Sequence, residues 1–338
     1  MTFRRAANAV RGVCGVRGVR GVRMQSSWTP AVARGKVPAY DAALAYISED
    51  AAQQASRAED AAKAGSDAAV VDALRVTAEI NLPHVREQFI SGEYDLTRPV
   101  FRHLREQAWR RGGPLAQLSE RLVLMKVLPD VLPEITPTVD LQVAFGTGRG
   151  VGDHGGEGGD ILAGVFLPPR LTRSAPALRA TAFHSDERKY TLLLVDPDSP
   201  DVEASSFSTY VHWMVTDIVL STAKSEVSGT ELLPYIPPHP QQGTPYHRYT
   251  TVLLEQQSGA VAAVPRERFN MREFIAANSL KPAGIHFWRE QWSPASRAVV
   301  SAIYADLGVE EPRYGLPGRQ DKLKDELGRR HSRYYPQQ

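Results

Sequence analysis

Four short clusters in the second half of the 338-residue chain hold the side chains that could do chemistry: Asp196-Pro-Asp198-Ser-Pro200, His212-Trp213, Pro237-Pro238 and His247-Arg248-Tyr249. Side chains two apart on an extended segment point to the same side, so Asp196 and Asp198 could act as a carboxylate pair in acid–base chemistry. An imidazole oriented through one nitrogen by a carboxylate or carbonyl offers an N–H to an anion through the other. Prolines after a strand fix a sharp exit, which predicts the acids of DPDSP at a strand end and not in mid-sheet. Two histidines beside two carboxylates on a sheet rim would form a small polar pocket for a phosphate-like group. The same four side chains, Asp196, Asp198, His212 and His247, also suit a buried hydrogen-bonded network that holds a sheet together.

Other chemistries fit less well. The sequence contains no GxSxG elbow, HExxH pair or P-loop, and no nucleophile is evident beside the acids. The formal GxGxxG match at 150–155 is followed by more glycine and by Glu157 and Asp160, not by a helix that could present its N-terminus to phosphate. A glycine-rich loop is expected there, an insertion over 146–160. The single cysteine, Cys14, excludes an intrachain disulfide and a cysteine metal site. The sequence predicts a protein that is not an enzyme, with no cofactor and no metal.

The elements that must position these clusters are mostly strands. Residues 139–145 alternate as a half-buried strand does, and further strands are predicted at 161–167, 190–196, 210–219 and 247–256. A closing helix is expected from Pro294 to Leu307. Many strands, proline-rich connections and few central helices argue for a mainly β protein, an antiparallel β-sandwich. Before residue 130 the pattern is helical: Tyr40, Leu44 and Ile47 share a face, Gly65 breaks the run, and a second helix is predicted over Asp67 to Ile80. Val100, Phe101, Leu104 and Trp109 form another apolar face, and Leu115, Leu118, Leu122 and Met125 a fourth. Faces so apolar must dock, either on this chain's own domain or on a neighbour. No apolar run approaches the roughly 18 residues that a membrane span needs, so the chain is expected to be soluble.

The first 40 residues read as an address. Arg4, Arg5, Arg11, Arg17, Arg20 and Arg23 occur before the first acid, Asp41, and such arginine-rich, acid-free segments are what mitochondrial import reads. Removing residues 1–23 takes the formal charge from +2 to −4, which excludes a protein that lives by wrapping nucleic acid. Any RNA contact must be local.

In this order the four clusters resemble the phosphatidylethanolamine-binding family. That family is recognised by a DPDxP element, a histidine on a following strand and a glycine shortly before an HRY triplet. Here these are DPDSP at 196–200, His212 in YVHW, and GTPYHRY at 243–249 behind Pro237 and Pro238. FNMREFIAANSL at 269–280 and GIHFWREQW at 284–292 resemble its next elements, and the likeness spans about Val139 to Gly308. It implies a sandwich of the phosphatidylethanolamine-binding-protein type. Carried over position by position, it also implies a ligand pocket of Asp196, Asp198, Pro200, His212, Pro238, His247 and Tyr304. Val211 stands where the family pattern has a second histidine, and the glycine-rich stretch is additional.

The presequence and residues 109–137 together resemble a family of mitochondrial large-subunit ribosomal proteins. That resemblance implies a structural constituent of the large subunit in the matrix, in its central protuberance, supporting mitochondrial translation. Its partners would be other large-subunit proteins and, locally, ribosomal RNA, with a small anionic ligand in the pocket as a further possibility. Contact candidates are Arg98, Arg102, Arg105, Arg110 and Arg111 in the helical block. In the tail they are Arg313, Tyr314, Arg329, Arg330, Arg333, Tyr334 and Tyr335, where aromatic and basic residues interleave as RNA stacking and phosphate contact require. The rival reading is a soluble mitochondrial regulator that binds phospholipid or anions. The expected organisation is a presequence at 1–27, a helical extension at 28–130, the sandwich at 131–310 and an extended C-terminal tail at 311–338.

Overall fold

The computed structural model describes residues 28–146, 158–257 and 259–315. The presequence, most of the glycine-rich stretch and the tail candidates Arg329, Arg330, Arg333, Tyr334 and Tyr335 lie outside the described residues. The chain forms two compact units that divide between Tyr94 and Asp95.

The first unit is helical. Helix α1 spans Pro38–Lys63, α2 Ala68–Glu79 and α3 Pro83–Ser91. Proline opens α1 and α3, where a missing N–H costs nothing. Gly65 breaks α1 from α2 with a left-handed φ of 73°, and the Asp67 carboxylate caps α2 by accepting from Ala69 N at 3.3 Å. Val71 and Ala78 of the predicted face are buried, with Leu74 half-buried beside them.

The second unit begins with α4 (Pro99–Arg111), α5 (Pro114–Leu124) and the short α6 (Val127–Asp130). The helical block therefore divides at residue 94, and its last three helices belong with the sandwich. Among the described residues the strands are β1 Val139–Gly146, β2 Gly158–Asp160, β3 Ala177–Ala182, β4 Arg188–Asp201, β5 Ser206–Leu220, β6 Thr230–Leu233, β7 His247–Gln256 and β8 Leu280–Glu290. Helix α7 (Met271–Ala277) precedes β8, and α8 (Arg297–Leu307) closes the fold. All named strand pairs are antiparallel, in a small sheet of order β2-β1-β3 and a large one of order β6-β5-β4-β7-β8.

The large sheet is buried on both faces. On one side Val139, Leu141, Val143 and Phe145 of β1 pack with Tyr190, Leu192 and Leu194 of β4, Leu253 of β7 and Trp288 of β8. On the other, Leu193, Val195, Met214, Val252 and Phe287 meet Leu122, Val127 and Leu132 from the α5–α6 region and Met271 and Phe274 of α7. This two-sided burial explains why 190–195 reads as a continuous apolar run and not an alternating one. The apolar face of α4 is also internal: Val100, Phe101, Leu104 and Trp109 are buried, and the Trp109 ring lies tilted against Phe183, 5.4 Å between centroids.

Two local expectations change. Residues 161–167 are not a strand; they make only one bridge to β8, at Phe166, and turn at Gly164. Gly164 has a left-handed φ of 78°, and a Cβ there would lie 2.6 Å from Met125 Sδ, so the chain must bend where it passes under α5. The glycine-rich insertion is not loop at its ends, because β1 and β2 pair in register from Ala144↔Asp160 to Gly146↔Gly158.

Candidate functional site

The DPDSP cluster forms the last part of β4: pairing with β7 ends at Val195, but pairing with β5 continues past both prolines to Asp201, so the sharp exit expected there is absent. Asp196 and Asp198 do not share a side. The pairing of β4 with β5 shifts register between Asp196 and Ser199, and this irregularity rotates the second acid away from the first. Asp196 meets His247, whereas Asp198 meets Arg248, the next residue of β7. Consecutive strand residues face opposite ways, so the two carboxylates serve opposite faces of the sheet. A shared-proton carboxylate pair is thereby excluded.

On the first face Asp196 and His247 are both buried, 3% and 1% exposed. His247 Nδ1 donates to Asp196 Oδ2 at 2.7 Å, and Asp196 Oδ1 accepts from Asp198 N at 2.9 Å. Burial pushes the Asp196 carboxyl upward, but the charge and hydrogen bond of His247 outweigh it and leave it below the usual carboxylate value. Burial likewise works against a charged His247, and Asp196 outweighs that, so the imidazole sits above its ordinary value. The two form a buried ion pair. The other nitrogen, Nε2, lies 2.8 Å from Thr244 Oγ1.

Thr244, His247 and Asp196 thus stand in the order of a hydroxyl–imidazole–carboxylate relay. The hydrogen bonds run the wrong way for catalysis. A protonated His247 donates from both nitrogens, and Thr244 Oγ1 donates onward to Gln241 O at 2.8 Å. In this arrangement His247 is a donor to the hydroxyl and not a base, and the chain of bonds holds the turn at 241–247.

His212, on β5, is buried and donates from Nδ1 to Ile236 O at 2.9 Å. Desolvation pushes it down to about 3, so it is neutral at physiological pH. Its ring packs against Tyr249 at 5.2 Å, Tyr210 at 4.9 Å and His239 at 5.1 Å. Tyr304, on α8, reaches the group through His239, ring to ring at 5.1 Å. Pro238 is buried in the loop that carries His239. Pro200 lies apart and lines a cavity of about 400 Å³ with Phe207, Gly243, Thr244 and Tyr314. Tyr314 N donates to Gln242 O at 2.9 Å, and a Cβ on Gly243 would fall 2.1 Å from Tyr314 O, so only glycine admits the returning chain.

On the opposite face Arg248 is bidentate on Asp198, at 2.8 and 2.7 Å, and donates to Asp130 Oδ2 and to the carbonyls of Met125 and Lys126. It ties the α5–α6 corner to the sheet. Neither Arg248 nor His239 was predicted as a site residue. Arg248 stood in the HRY triplet, but its partners 118 to 123 residues away left no local signal. His239, between prolines, had none at all.

One further acid is unusual. Glu290, the β8 partner of His247, is fully buried, accepts from Trp288 Nε1 at 2.9 Å and is pushed up to about 8 by burial. Its folded value exceeds the unfolded 4.5, so only the folded protein holds the proton between these values, and stability falls as pH rises through this window. At about 1.4 kcal/mol per pH unit, the loss between pH 4.5 and 7 is on the order of 3 kcal/mol. Glu290→Gln should remove that slope in denaturant titrations repeated across pH. An unchanged slope would show that Glu290 is ionised in the folded protein.

Of the helical contact candidates, Arg105 pairs with Asp140, Arg110 with Glu106 and Pro137 O, and Arg98 lies 4.7 Å over Phe101. Arg102 is half-buried and Arg111 exposed. In the tail, Arg313 is exposed and forms a parallel bridge with Gln242. Among the described residues there is no cluster of three or more potential metal ligands, and no helix is long and apolar enough to cross a membrane.

Comparison with known proteins extends this description. The family profile described as phosphatidylethanolamine-binding protein matches residues 157–290. Over 253 residues the chain is 31% identical to large ribosomal subunit protein mL38 of Schizosaccharomyces pombe, covering 71% of this chain and 79% of that one. It is also 34% identical over 144 residues to protein MOTHER of FT and TFL1 homolog 2 of Oryza sativa subsp. japonica, covering 41% and 79% of the two chains. Among solved structures, a phosphatidylethanolamine-binding protein from Plasmodium vivax is similar, with 25% identity, a TM-score of 0.38 and 52% and 97% of the two chains covered. The mL38 likeness is much longer than the matched domain, so it includes sequence on the chain that the binding-protein profile does not. The chain belongs to the mL38 family of large ribosomal subunit proteins and carries a phosphatidylethanolamine-binding-protein domain.

Proposed function

We propose that the protein is a structural constituent of the mitochondrial large ribosomal subunit, that it lies in the central protuberance in the matrix, and that it supports translation without catalysis. The observation that carries this reading is the 253-residue likeness to a large-subunit protein, which extends past the binding-protein domain. The arginine-rich, acid-free residues 1–27 act as its import sequence. A formal charge of −4 without residues 1–23 favours protein neighbours over extensive RNA contact. Because Arg105 and Arg110 are engaged within the fold, RNA contact from α4 centres on Arg111, and from the tail on Arg313 and the residues beyond it. The site residues Asp196, Asp198, His212 and His247 serve as a stabilising network.

Fractionation of mitochondrial lysate on a sucrose gradient tests the assignment. All of the protein should sediment with the large subunit. A substantial pool at the top of the gradient would instead support a free phospholipid- or anion-binding regulator.

A further inference from the structure

We propose that His239 is a built-in occupant of the polar site and closes it to outside ligands. His239 is 8% exposed, and its ring stands among His212 at 5.1 Å, Tyr304 at 5.1 Å and Tyr210 at 5.8 Å. It therefore fills the space between the β5 histidine and the closing helix α8, which an external ligand would have to enter. The polar groups on its side of the sheet are already engaged, His247 with Asp196 and Thr244 and His212 Nδ1 with Ile236 O, while Asp198 is held on the opposite face by Arg248.

The loop that carries the ring is rigid. Pro237, Pro238 and Pro240 flank His239 and fix three backbone φ angles, so little freedom remains to swing it out. The loop is tied at both ends, by Ile236 N to His212 O at 2.9 Å and by Tyr314 N to Gln242 O at 2.9 Å. His239 Nδ1 donates to the carbonyl two residues back, Pro237 O, at 2.7 Å, which fixes the orientation of the ring. Such a side chain is a permanent plug and not a gate.

Deleting the ring should leave a cavity shaped for a flat, neutral heterocycle, and a buried cavity of this kind takes up a molecule that matches it. The test uses the full-length protein and its His239→Gly variant, with thermal unfolding followed above about pH 7.5, where free imidazole is largely neutral. The variant should melt lower than wild type. Imidazole at ten times its dissociation constant should then raise the variant's Tm by about 3–5 °C, saturably. Wild type should respond neither to imidazole nor to inorganic phosphate or phosphoethanolamine. A folded variant indifferent to imidazole would overturn the proposal. So would saturable stabilisation of wild type, by phosphate alone for a free-anion site or by phosphoethanolamine alone for a headgroup site. If His239→Gly does not fold, His239→Ala takes its place with the same criteria. His239→Phe, which keeps a flat ring in place, should ignore imidazole, and a response there would also sink the idea. None of these outcomes depends on whether the protein sediments with ribosomes.

Discussion

Arg248→Met should destabilise the sandwich unit by about 3–5 kcal/mol, the range for removing one partner of a buried charge network. The methionine keeps most of the aliphatic volume, so the loss reports the guanidinium and not a cavity. Five acceptor contacts disappear together: two on Asp198, one on Asp130, and the carbonyls of Met125 and Lys126. Asp198 would remain half-buried with its compensation reduced to the Arg248 backbone N–H. The two carbonyls belong to the corner from which Leu122, Val127 and Leu132 cover the large sheet. Losing the tie should therefore loosen that helical cover as well as lower the denaturant midpoint. Equilibrium unfolding and amide exchange over residues 114–132 would measure both effects. Arg268→Ala is the control, because the Arg268 side chain is itself exposed and water screens its ion pairs with Asp201 and Glu203. Equal effects from the two substitutions would refute the buried role of Arg248.

The second large effect is expected at Asp196. Asp196→Ala removes the carboxylate that His247 contacts and leaves a buried imidazole whose charge is no longer supported. The cost should again be about 3–5 kcal/mol, and its pH dependence is the sharper test. His247 has a raised folded value, so its contribution is complete below the unfolded value of 6.5 and is lost as pH rises through the folded one. Asp196 has a lowered folded value, so its contribution is present above the unfolded 3.8 and is lost as pH falls through the folded one. The difference between wild type and Asp196→Ala should peak between pH 3.8 and 6.5 and shrink on the alkaline side. His212 acts oppositely: its folded value of about 3 against 6.5 unfolded costs stability as pH falls. Desolvation, its largest cause, persists in the variant, whereas the smaller upward pull of Asp196 on His212 goes with the carboxylate and adds to the difference on the acid side. A pH-independent difference below about 1 kcal/mol, the size of an exposed pair, would refute the buried ion pair.

Much of the architecture was legible in local pattern. Alternation at 139–145, the apolar run at 190–195 and the break at Gly65 each arise from neighbours within one element, which periodicity reads directly. The turn at Gly164 was not legible, because the atoms that force it, Met125 and Phe287, come from elsewhere in the chain. The extent of the helical cover had the same limit: an apolar face announces that it docks, not on what.

The sequence by itself determined that four clusters of acids, histidines and prolines, in a fixed order, mark a phosphatidylethanolamine-binding-protein domain behind an import-like, arginine-rich start. Residue types and spacing carry that much, since each motif is complete within a few positions. Only the tertiary structure decided what the clusters do. A register shift after Asp196 sends two acids that alternation would pair to opposite faces, one to His247 and the other to Arg248. A histidine held between prolines fills the space that the motif residues surround. Both outcomes depend on contacts between β4, β5, β7, α8 and the 237–243 loop, and such contacts exist only once the sheet has assembled.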